Sequence, residues 1–422
     1  MKLQKIVSRL QELHPKEIDL SLDRILNLCK KLDNPQDKIK AISVVGTNGK
    51  YSTIQAMYAI LKEAGFNCNI YTSPHIRKIN ERFIFNNKEL NDNELSDLFE
   101  TVEKANNNEP ITFFEILTAA FFYKAADYPE NINLIETGLF HRFDATNILN
   151  QNLASVVTSI GLDHLDWLPK DERTVEKIIF EKTSKLLNSN IIVAKQSSNE
   201  ITEHIKKTIK ENKSKRLFFN QDYSYSENEN NFFYYEDEFG GIKLPMPNVN
   251  GQFQLENIST AIATLRVIKE ININDEHIKL GITKIESIAR LQEITEGKLK
   301  DLVKENRLLV DGSHNPLGAK ALNNYLDSLD CKKHIILGMM ANKDHQEYIS
   351  YFKEIETLTT INIPNQPNSI PGEDLKNKLN NVKNIQYSEN IFEAIKSIPV
   401  KKNDLILITG SLYLAGEVLN LN

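Results

Sequence analysis

The segment Val44-Val45-Gly46-Thr47-Asn48-Gly49-Lys50-Tyr51-Ser52-Thr53 decides the fold. An apolar run at 41–45 ends at the first glycine, and apolar residues at helical spacing follow from Ile54 to Leu61. Two glycines let the backbone approach an anion, the N-terminus of the following helix presents free N–H groups, and Lys50 supplies a cation. The segment predicts a strand, a phosphate-binding loop and a helix, with ATP as the first hypothesis for the ligand.

The loop does not match the general Walker pattern, because Val44 stands where that pattern requires a glycine. The shorter Gly-Thr-Asn-Gly-Lys form carries the prediction, and an ordinary strand-to-helix turn is the alternative. The predicted strand and helix on either side favour the phosphate-binding interpretation.

Composition limits the classes of protein. The chain has 422 residues, which favours two domains over one core, and its formal net charge of −6 argues against a nucleic-acid partner. The three cysteines, Cys29, Cys68 and Cys331, are few, widely separated and in no C-x-x-C pairing, which favours neither a disulfide framework nor a zinc site and fits a reducing cytoplasm. No apolar stretch is long enough to cross a bilayer, so no membrane partner is expected.

Strand-like and helix-like patterns alternate along most of the chain. This alternation predicts an α/β fold with a mainly parallel sheet. A second alternation starts near Leu308 and predicts a smaller Rossmann-like α/β domain. The junction is expected between Gly281 and Leu291, which divides the chain into domains 1–285 and 286–422. Residues 222–247 lack the helical period and predict a β-rich excursion with a hairpin. The predicted strands are 41–45, 68–71, 132–136, 154–160, 191–194, 308–310, 334–337, 358–363 and 405–408, and the predicted C-terminal helices are 317–329 and 411–421.

Polar side chains stand at the ends of the predicted strands. Ser73, Glu136 and the Asp163-His164 pair each close or follow an apolar run. Parallel sheets place ligand sites at the carboxyl ends of their strands, so these residues are expected near the phosphate loop. Taken singly, each has an ordinary alternative as a turn residue or a salt-bridge partner.

Eight patterns stand in order along the chain, at 45–53, 71–75, 112–117, 136–147, 158–167, 311–316, 338–344 and 409–416. Together these segments resemble one family, the folylpolyglutamate and dihydrofolate synthases of the Mur ligase superfamily. The resemblance implies a Mur-type ATP-binding domain in which ATP phosphorylates a pterin carboxylate and the amine of L-glutamate attacks the acyl phosphate. A Mur-type amino-acid ligase with a non-folate acceptor shares the loop, but Phe113-Phe114-Glu115 and the run at 163–167 are typical of the folate branch.

The resemblance also implies roles for individual residues. It implies Mg²⁺ as cofactor, ATP, L-glutamate and a pterin as small-molecule partners, and a monomer. The implied metal ligands are Ser73, Glu136 and His164, and the implied catalytic residues are Lys50, a carbamylated Lys182, and His314. The implied ATP-binding residues are Thr47, Asn48, Gly49, Lys50, Asn257, Arg290 and Asp311, and the glutamate-binding residues are His314 and Ser411. The implied pterin-binding residues are Ile18, Asp19, Leu20, Thr112, Phe113, Phe114, Glu115, Phe143, Asp144 and Ala145. The form of the 18–20 segment resembles members that accept dihydropteroate, which favours a bifunctional enzyme.

Some positions depart from the family pattern. Tyr51 follows the loop lysine in place of a glycine, Phe140 and His141 replace two glycines, and Ile288-Ala289 replace a proline-glycine hinge. Thr183-Ser184-Lys185 replace the small residues that usually follow the carbamylated lysine. An active ligase is expected, because the charged positions are kept, and a nucleotide-binding relic without turnover is the alternative.

Overall fold

The computed structural model describes residues 2–14, 16, 19–228 and 231–422. The chain forms two compact units. The first comprises Met1–His164, Leu168–Asn248 and Leu255–Ile285, and the second comprises Leu165–Trp167, Val249–Gln254 and Glu286–Asn422. In the parts of the chain that are described, every helix is too short or too polar to cross a membrane.

The first unit is built on a large, mainly parallel sheet. Its strands are β1 Lys40–Val45, β2 Cys68–Tyr71, β3 Phe83–Phe85, β4 Lys88–Glu89, β5 Ile132–Glu136, β6 Ala154–Val157, β7 Asn190–Val193 and β8 Arg216–Phe218. Their order is β4-β3-β2-β5-β1-β6-β7-β8, with β3 and β4 antiparallel at one edge. In register, Val44 pairs with Glu136 of β5 and with Val156 of β6. The ends of β2, β5, β1 and β6 therefore lie side by side.

Helices cover this sheet. The central strands are buried along nearly their whole length, which is expected for a sheet covered on both faces. The helices are α1 Lys2–Gln11, α2 Asp23–Lys31, α3 Lys50–Glu63, α4 Asp92–Asn106, α5 Phe113–Ala125, α6 Val175–Thr183, α7 Asn199–Thr208, α8 Gln252–Val267 and α9 Asp275–Ile282. Aromatic and aliphatic side chains of α1, α2, α4 and α5 form one apolar core with β2 and β3. Short 3₁₀ helices of this unit occupy Pro35–Lys38, Ile79–Arg82, His141–Phe143 and Lys170–Glu172, and a further one at Leu165–Trp167 belongs to the second unit.

Helix α3 packs against α9 at a glycine. A Cβ atom on Gly281 would lie 2.6 Å from Cα and 2.8 Å from N of Ile60, and backbone atoms cannot move aside as a flexible side chain can. Gly281→Ala is therefore expected to lower the free energy of unfolding by about 2–3 kcal/mol, measured by urea denaturation. Gly241→Ala is the control, since its Cβ would meet no atom closer than 3.7 Å. A Gly281→Ala variant as stable as the wild type would contradict the close packing.

A small antiparallel sheet follows β8. Strands β9 Tyr223–Asn228, β10 Phe232–Asp237 and β11 Gly240–Pro245 pair in the order β11-β10-β9. Residues alternate between buried and exposed along β10, as expected for a sheet with one covered face. The β-rich excursion at 222–247 thus contains two successive hairpins, where the sequence predicted one.

The second unit is a smaller parallel sheet with one antiparallel edge strand. The strands are β12 Gln292–Glu293, β13 Arg307–Val310, β14 Lys333–Leu337, β15 Thr357–Ile361, β16 Ile385–Ser388 and β17 Leu405–Thr409. Their order is β12-β13-β17-β14-β15-β16, and only the β12–β13 pair is antiparallel among the pairs described. The predicted α/β fold with mainly parallel sheets is confirmed. The helices are α10 Lys298–Val303, α11 Pro316–Asp327, α12 His345–Ser350, α13 Gly372–Lys378, α14 Ile391–Ser397 and α15 Leu412–Leu421.

Candidate active site

The loop between β1 and α3 is shaped by a glycine. Gly49 has a φ of 90°, in the left-handed region that favours glycine. A Cβ atom there would lie 2.5 Å from Oδ1 of Asn257 on α8. The close approach explains why glycine is needed at this position, and it brings the predicted ATP residue Asn257 to the loop.

Backbone hydrogen bonds hold the loop against the segment that follows β6. The N–H groups of Thr47 and Asn48 both donate to the Ser159 carbonyl oxygen, at 2.9 and 3.1 Å. The Thr47 hydroxyl donates to the Gly161 carbonyl oxygen at 3.1 Å. These contacts fix the loop before any ligand binds, which lowers the entropic cost of binding.

Lys50, Glu136 and Ser73 come together at the carboxyl ends of three neighbouring strands. The Lys50 ammonium lies 3.8 Å from Oε1 of Glu136 and donates to the Gly46 carbonyl oxygen at 3.3 Å. The backbone N–H of Ser73 donates to Oε2 of Glu136 at 3.1 Å. The Glu136 side chain is only 6% exposed, so its charge acts in a poorly solvated environment.

His164 occupies an unusual backbone conformation. Its φ is 57°, which is uncommon for a residue with a side chain and often marks a functional site. Its backbone N–H donates to Oδ1 of Asp163 at 2.8 Å, and its ring meets the ring of Phe140 edge to face at 6.4 Å. The half-buried imidazole follows β6, the strand next to β1.

Lys182 on α6 reaches the same loop. Its side chain is buried, and Nζ donates to the carbonyl oxygens of Gly46 at 2.9 Å and Leu139 at 2.7 Å. Among the described residues, no carboxylate lies within ion-pair distance of this ammonium. Burial, together with the nearby Lys50 charge, lowers the pKa of Lys182 to about 7. A substantial fraction of the Lys182 amine is therefore neutral at physiological pH.

Asp144, one of the predicted pterin residues, holds a turn together. Its Oδ2 accepts from the N–H groups of Gly138 and Leu139 at 3.0 and 3.1 Å, and its Oδ1 accepts from the N–H and hydroxyl of Thr146 at 3.0 and 2.6 Å. Burial raises the pKa of Asp144. Its carboxylate is committed to the turn that follows β5, and Ala145 beside it is buried.

The other predicted pterin residues lie on three segments. At the start of α5, Thr112 caps the helix, and its hydroxyl accepts from the Glu115 N–H at 3.3 Å. Phe113 and Phe114 of the same helix are half-buried against the apolar core, and Phe143 is half-buried in the turn after β5. On the third segment, Asp19 is half-buried and Leu20 is exposed, while the predicted residue Ile18 lies outside the described residues.

In the second unit, Asp311 follows β13 and organises its own loop. Its Oδ1 accepts from the Ser313 N–H at 2.7 Å, and its Oδ2 accepts from the Leu291 N–H at 2.8 Å. Burial raises the pKa of Asp311, although the nearby Arg290 guanidinium acts in the opposite direction. Arg290 itself donates from Nη1 to the Ala289 carbonyl oxygen at 2.9 Å. The two predicted ATP residues of this unit are therefore neighbours.

His314 and Ser411 also lie in adjoining loops of the second unit. The N–H of Gly410 donates to the Ser313 carbonyl oxygen at 3.1 Å, which joins the loop after β13 to the loop after β17. Nδ1 of His314 donates to the Gly312 carbonyl oxygen at 3.1 Å. The Ser411 hydroxyl accepts from the Tyr413 N–H at 3.1 Å and caps α15, so the ordinary role weighed for this serine is present.

Comparison with known proteins identifies the family. The Mur ligase middle domain matches residues 44–265, and the domain described as Mur ligase, glutamate ligase domain matches residues 293–412. The dihydrofolate synthase/folylpolyglutamate synthase of Bacillus subtilis (strain 168) is 30% identical over 94% of this chain and 94% of its own. The chain belongs to the folylpolyglutamate synthase family of Mur ligases. It is an ATP-dependent ligase that joins L-glutamate to a pterin carboxylate.

Solved structures of the family agree with the fold over nearly the whole chain. E. coli FolC in complex with DHPP and ADP has a TM-score of 0.87 at 26% identity, covering 99% of this chain and 97% of that one. A bifunctional folylpolyglutamate synthase/dihydrofolate synthase with Mn, AMPPNP and L-glutamate bound has a TM-score of 0.86 at 25% identity, with the same coverage.

Two departures from the folylpolyglutamate synthase pattern lie beside Lys182. Phe140 and His141 are both buried, and the Phe140 ring centre is 5.7 Å from the Lys182 ammonium. Burial and the Lys182 charge lower the pKa of His141 to about 4, so this imidazole is neutral. Its Nδ1 lies 3.5 Å from the Thr137 hydroxyl oxygen, while the buried Nε2 has no hydrogen-bond partner among the described residues. The two side chains that stand in place of glycines therefore form an uncharged wall beside the lysine.

Sequence reasoning missed an ion pair that joins α6, the helix of Lys182, to the turn after β5. Arg142 donates from Nε and Nη2 to the two carboxylate oxygens of Glu181, each at 2.7 Å, and its guanidinium lies 4.3 Å from the centre of the Phe143 ring. Glu181 is buried and precedes Lys182. Only the adjacency of Glu181 and Lys182 was visible in the sequence, because Arg142 is 39 positions away from Glu181.

Proposed function

We propose that the chain adds L-glutamate to two acceptors, dihydropteroate and tetrahydrofolate, and that the loop at residues 46–50 binds the ATP that drives both reactions. The observation that carries the proposal is the convergence of Lys50, Glu136 and Lys182 on that loop. The relative from B. subtilis is named for both activities, and the E. coli structure holds DHPP and ADP, which supports these classes of acceptor and nucleotide.

The chemistry requires activation, because a carboxylate is a poor electrophile. An oxygen of the acceptor carboxylate attacks the γ-phosphorus of ATP, the bond from that phosphorus to the β–γ bridging oxygen breaks, and ADP leaves. The glutamate amine then attacks the acyl carbon, phosphate leaves, and the amine loses a proton to give the amide. Lys50 is positioned to neutralise charge on the phosphoryl oxygens during the first step.

The proposed metal is Mg²⁺, held by Ser73, Glu136 and His164. A hydroxyl, a buried carboxylate and an imidazole are a donor set that a divalent ion accepts, although imidazole is less usual for Mg²⁺. Ser73 follows β2 and Glu136 closes the neighbouring strand β5, and Glu136 already contacts the Ser73 backbone. His164 follows β6, which lies on the other side of β1. When bound, the ion shields the negative charge that repels the incoming carboxylate. The solved relative with Mn and AMPPNP supports a divalent ion beside the nucleotide.

Lys182 is proposed to be carbamylated by carbon dioxide: the amine nitrogen bonds to the carbon, one C=O π bond breaks to leave a negatively charged oxygen, and the nitrogen loses a proton. Carbamylation needs a neutral amine, and burial supplies one by lowering the pKa of Lys182 to about 7. The amine lies against the phosphate loop through the Gly46 carbonyl oxygen, which is the location that a ligand-holding group requires. The carbamate carries a negative charge and two oxygen donors in place of a cation.

The remaining roles concern both units and the environment of the protein. Thr47, Asn48, Gly49 and Asn257 are proposed to bind ATP from domain 1–285, and Arg290 and Asp311 from domain 286–422. His314 is the proposed catalytic residue for the glutamate amine, with Ser411 as a further glutamate contact.

The three cysteines are free, which supports a reducing cytoplasm. We also propose that the protein acts as a monomer.

The test is release of ADP by the purified protein with Mg²⁺, ATP and L-glutamate. Dihydropteroate, tetrahydrofolate and no pterin are compared, and the product is identified by its mass. ADP release and a glutamate adduct with both pterins are expected. Release with one pterin alone would contradict bifunctionality, and nucleotide binding without pterin-dependent turnover would favour a relic or a ligase with a non-folate acceptor.

A further inference from the structure

Arg24 on α2 joins the two segments that carry most of the proposed pterin residues. Its Nη1 donates to Oδ2 of Asp19 at 2.8 Å, and its Nη2 donates to the Asp19 carbonyl oxygen at 2.8 Å. On the other side, Nε and Nη2 donate to Oε2 and Oε1 of Glu115, each at 3.0 Å. One guanidinium therefore connects the segment at 19–20 to the first turn of α5.

Both carboxylates accept further hydrogen bonds within the protein, and Glu115 has little free capacity. Oε2 of Glu115 also accepts from the Thr112 N–H at 2.8 Å, and the Glu115 side chain is only 5% exposed. Oδ1 of Asp19 accepts from the Lys16 ammonium at 3.3 Å. A carboxylate offers about four acceptor sites, so most of those on Glu115 are occupied within the protein. Glu115 thus serves the helix cap and the arginine, and the position of both carboxylates depends on Arg24.

We propose that Arg24 is a positioning residue that builds the pterin site by fixing the 19–20 segment onto the N-terminus of α5. This inference rests on the proposed function, because that function assigns Asp19, Leu20 and the residues at 112–115 to the pterin. A planar guanidinium with five donors in a fixed geometry holds Glu115 through two parallel hydrogen bonds while it also donates to Asp19, and a single ammonium cannot form the two parallel bonds. A segment fixed before binding does not have to be ordered by the substrate. Arg24 therefore acts on the affinity for the pterin and leaves ATP binding and chemistry unchanged.

The test compares Arg24→Lys and Arg24→Ala with the wild type in steady-state kinetics. Each substrate is varied with the other two saturating. In both variants the KM for the pterin is expected to rise about tenfold or more, which corresponds to the loss of one charge-assisted hydrogen bond. The KM for ATP and kcat are expected to stay within about twofold. Arg24→Lys keeps the positive charge beside Glu115 and is expected to fold even if the alanine variant does not.

The matched control is Arg9→Ala. Arg9 on α1 makes the same bidentate contact with Glu103 on α4, at 2.5 Å for each bond, and contacts neither proposed pterin segment. Its removal tests the loss of an arginine–glutamate pair between helices without disturbing the 19–20 segment. The pterin KM of Arg9→Ala is expected to equal that of the wild type.

The outcomes separate this proposal from the proposed function. The wild-type assay tests the function, and the ratio of KM values between variant and wild type tests Arg24. An unchanged pterin KM in folded Arg24→Lys, or an equal rise in the ATP KM, would overturn the positioning role. If the wild type shows no pterin-dependent turnover, amide hydrogen exchange of residues 19–22 decides. Faster exchange in Arg24→Lys than in Arg9→Ala supports the positioning role, and equal exchange overturns it.

Discussion

Replacing Lys50 by alanine is expected to lower pterin-dependent ADP release at least about a thousandfold. Enzymes that transfer a phosphoryl group depend on positioned cations, and removal of one such cation typically costs between three and five powers of ten. The Lys50 ammonium is 12% exposed and lies between the Gly46 carbonyl oxygen and the Glu136 carboxylate. In that poorly solvated place its charge acts strongly on nearby oxygens. The measurement is kcat under saturating substrates.

The matched control for Lys50→Ala is Lys62→Ala in the last turn of the same helix. Lys62 is exposed, so its removal tests the loss of a lysine from α3 without touching the loop. Wild-type turnover is expected in the control. The thermal midpoint of Lys50→Ala is measured alongside, because a fall in activity counts only if the variant is folded. Near-normal turnover in folded Lys50→Ala would show that the loop does not bind the reacting phosphate.

The fold was predictable where apolar runs are long and sharply bounded. The predicted strands 68–71 and 132–136 coincide with β2 and β5, since continuous burial selects an unbroken apolar run. The predicted strand 154–160 ends at Val157, because the chain turns there to carry the residues that hold the phosphate loop. Strand β3 at Phe83–Phe85 was not predicted. Three residues at a sheet edge carry too little pattern to be distinguished from a loop.

The phosphate loop was predictable from a short pattern of neighbouring residues, without any long apolar run. Two glycines and a lysine within five positions mark a backbone turn that other residues resist. Contacts between distant residues leave no such signal. Lys182 and Gly46 are 136 positions apart, and Arg24 and Glu115 are 91 apart. Only the fold brings these pairs together, so the resemblance to a family could name Lys182 while nothing named Arg24.

The hinge-like segment before Arg290 illustrates a departure that the fold tolerates. Ala289 has a φ of 55°, in the region where the family pattern provides a glycine, and Leu291 has a φ of 47°. Left-handed backbone costs an alanine roughly 1–2 kcal/mol relative to its ordinary conformations. The Ala289 carbonyl oxygen accepts from the Gly312 N–H at 2.9 Å, and the Leu291 N–H donates to Asp311. These contacts hold the segment in a conformation that its residues alone would not favour.

Replacing Lys182 by alanine is expected to lower turnover at least about a hundredfold, and carbon dioxide should control the activity of the wild type. Loss of one ligand-holding or charge-stabilising group typically costs two to three powers of ten in rate.

The neutral fraction of the Lys182 amine falls as pH drops below its pKa of about 7, so less carbamate forms. At a fixed concentration of dissolved carbon dioxide, activity should fall below pH 7. Added carbon dioxide should restore it.

The carbamate is detected directly by carbon-13 NMR of the wild type equilibrated with labelled bicarbonate, with Lys182→Ala as the blank. Lys185→Ala is the activity control, because Lys185 is exposed and lies three positions further along the chain. Chemical rescue of Lys182→Ala by a short carboxylate such as formate separates the two possible roles of the side chain. Rescue is expected if a negatively charged oxygen donor is needed beside Gly46. A labelled signal in wild type and blank alike would show that the carbamate is not on Lys182. Rescue by methylamine in place of formate would show that Lys182 acts as a cation.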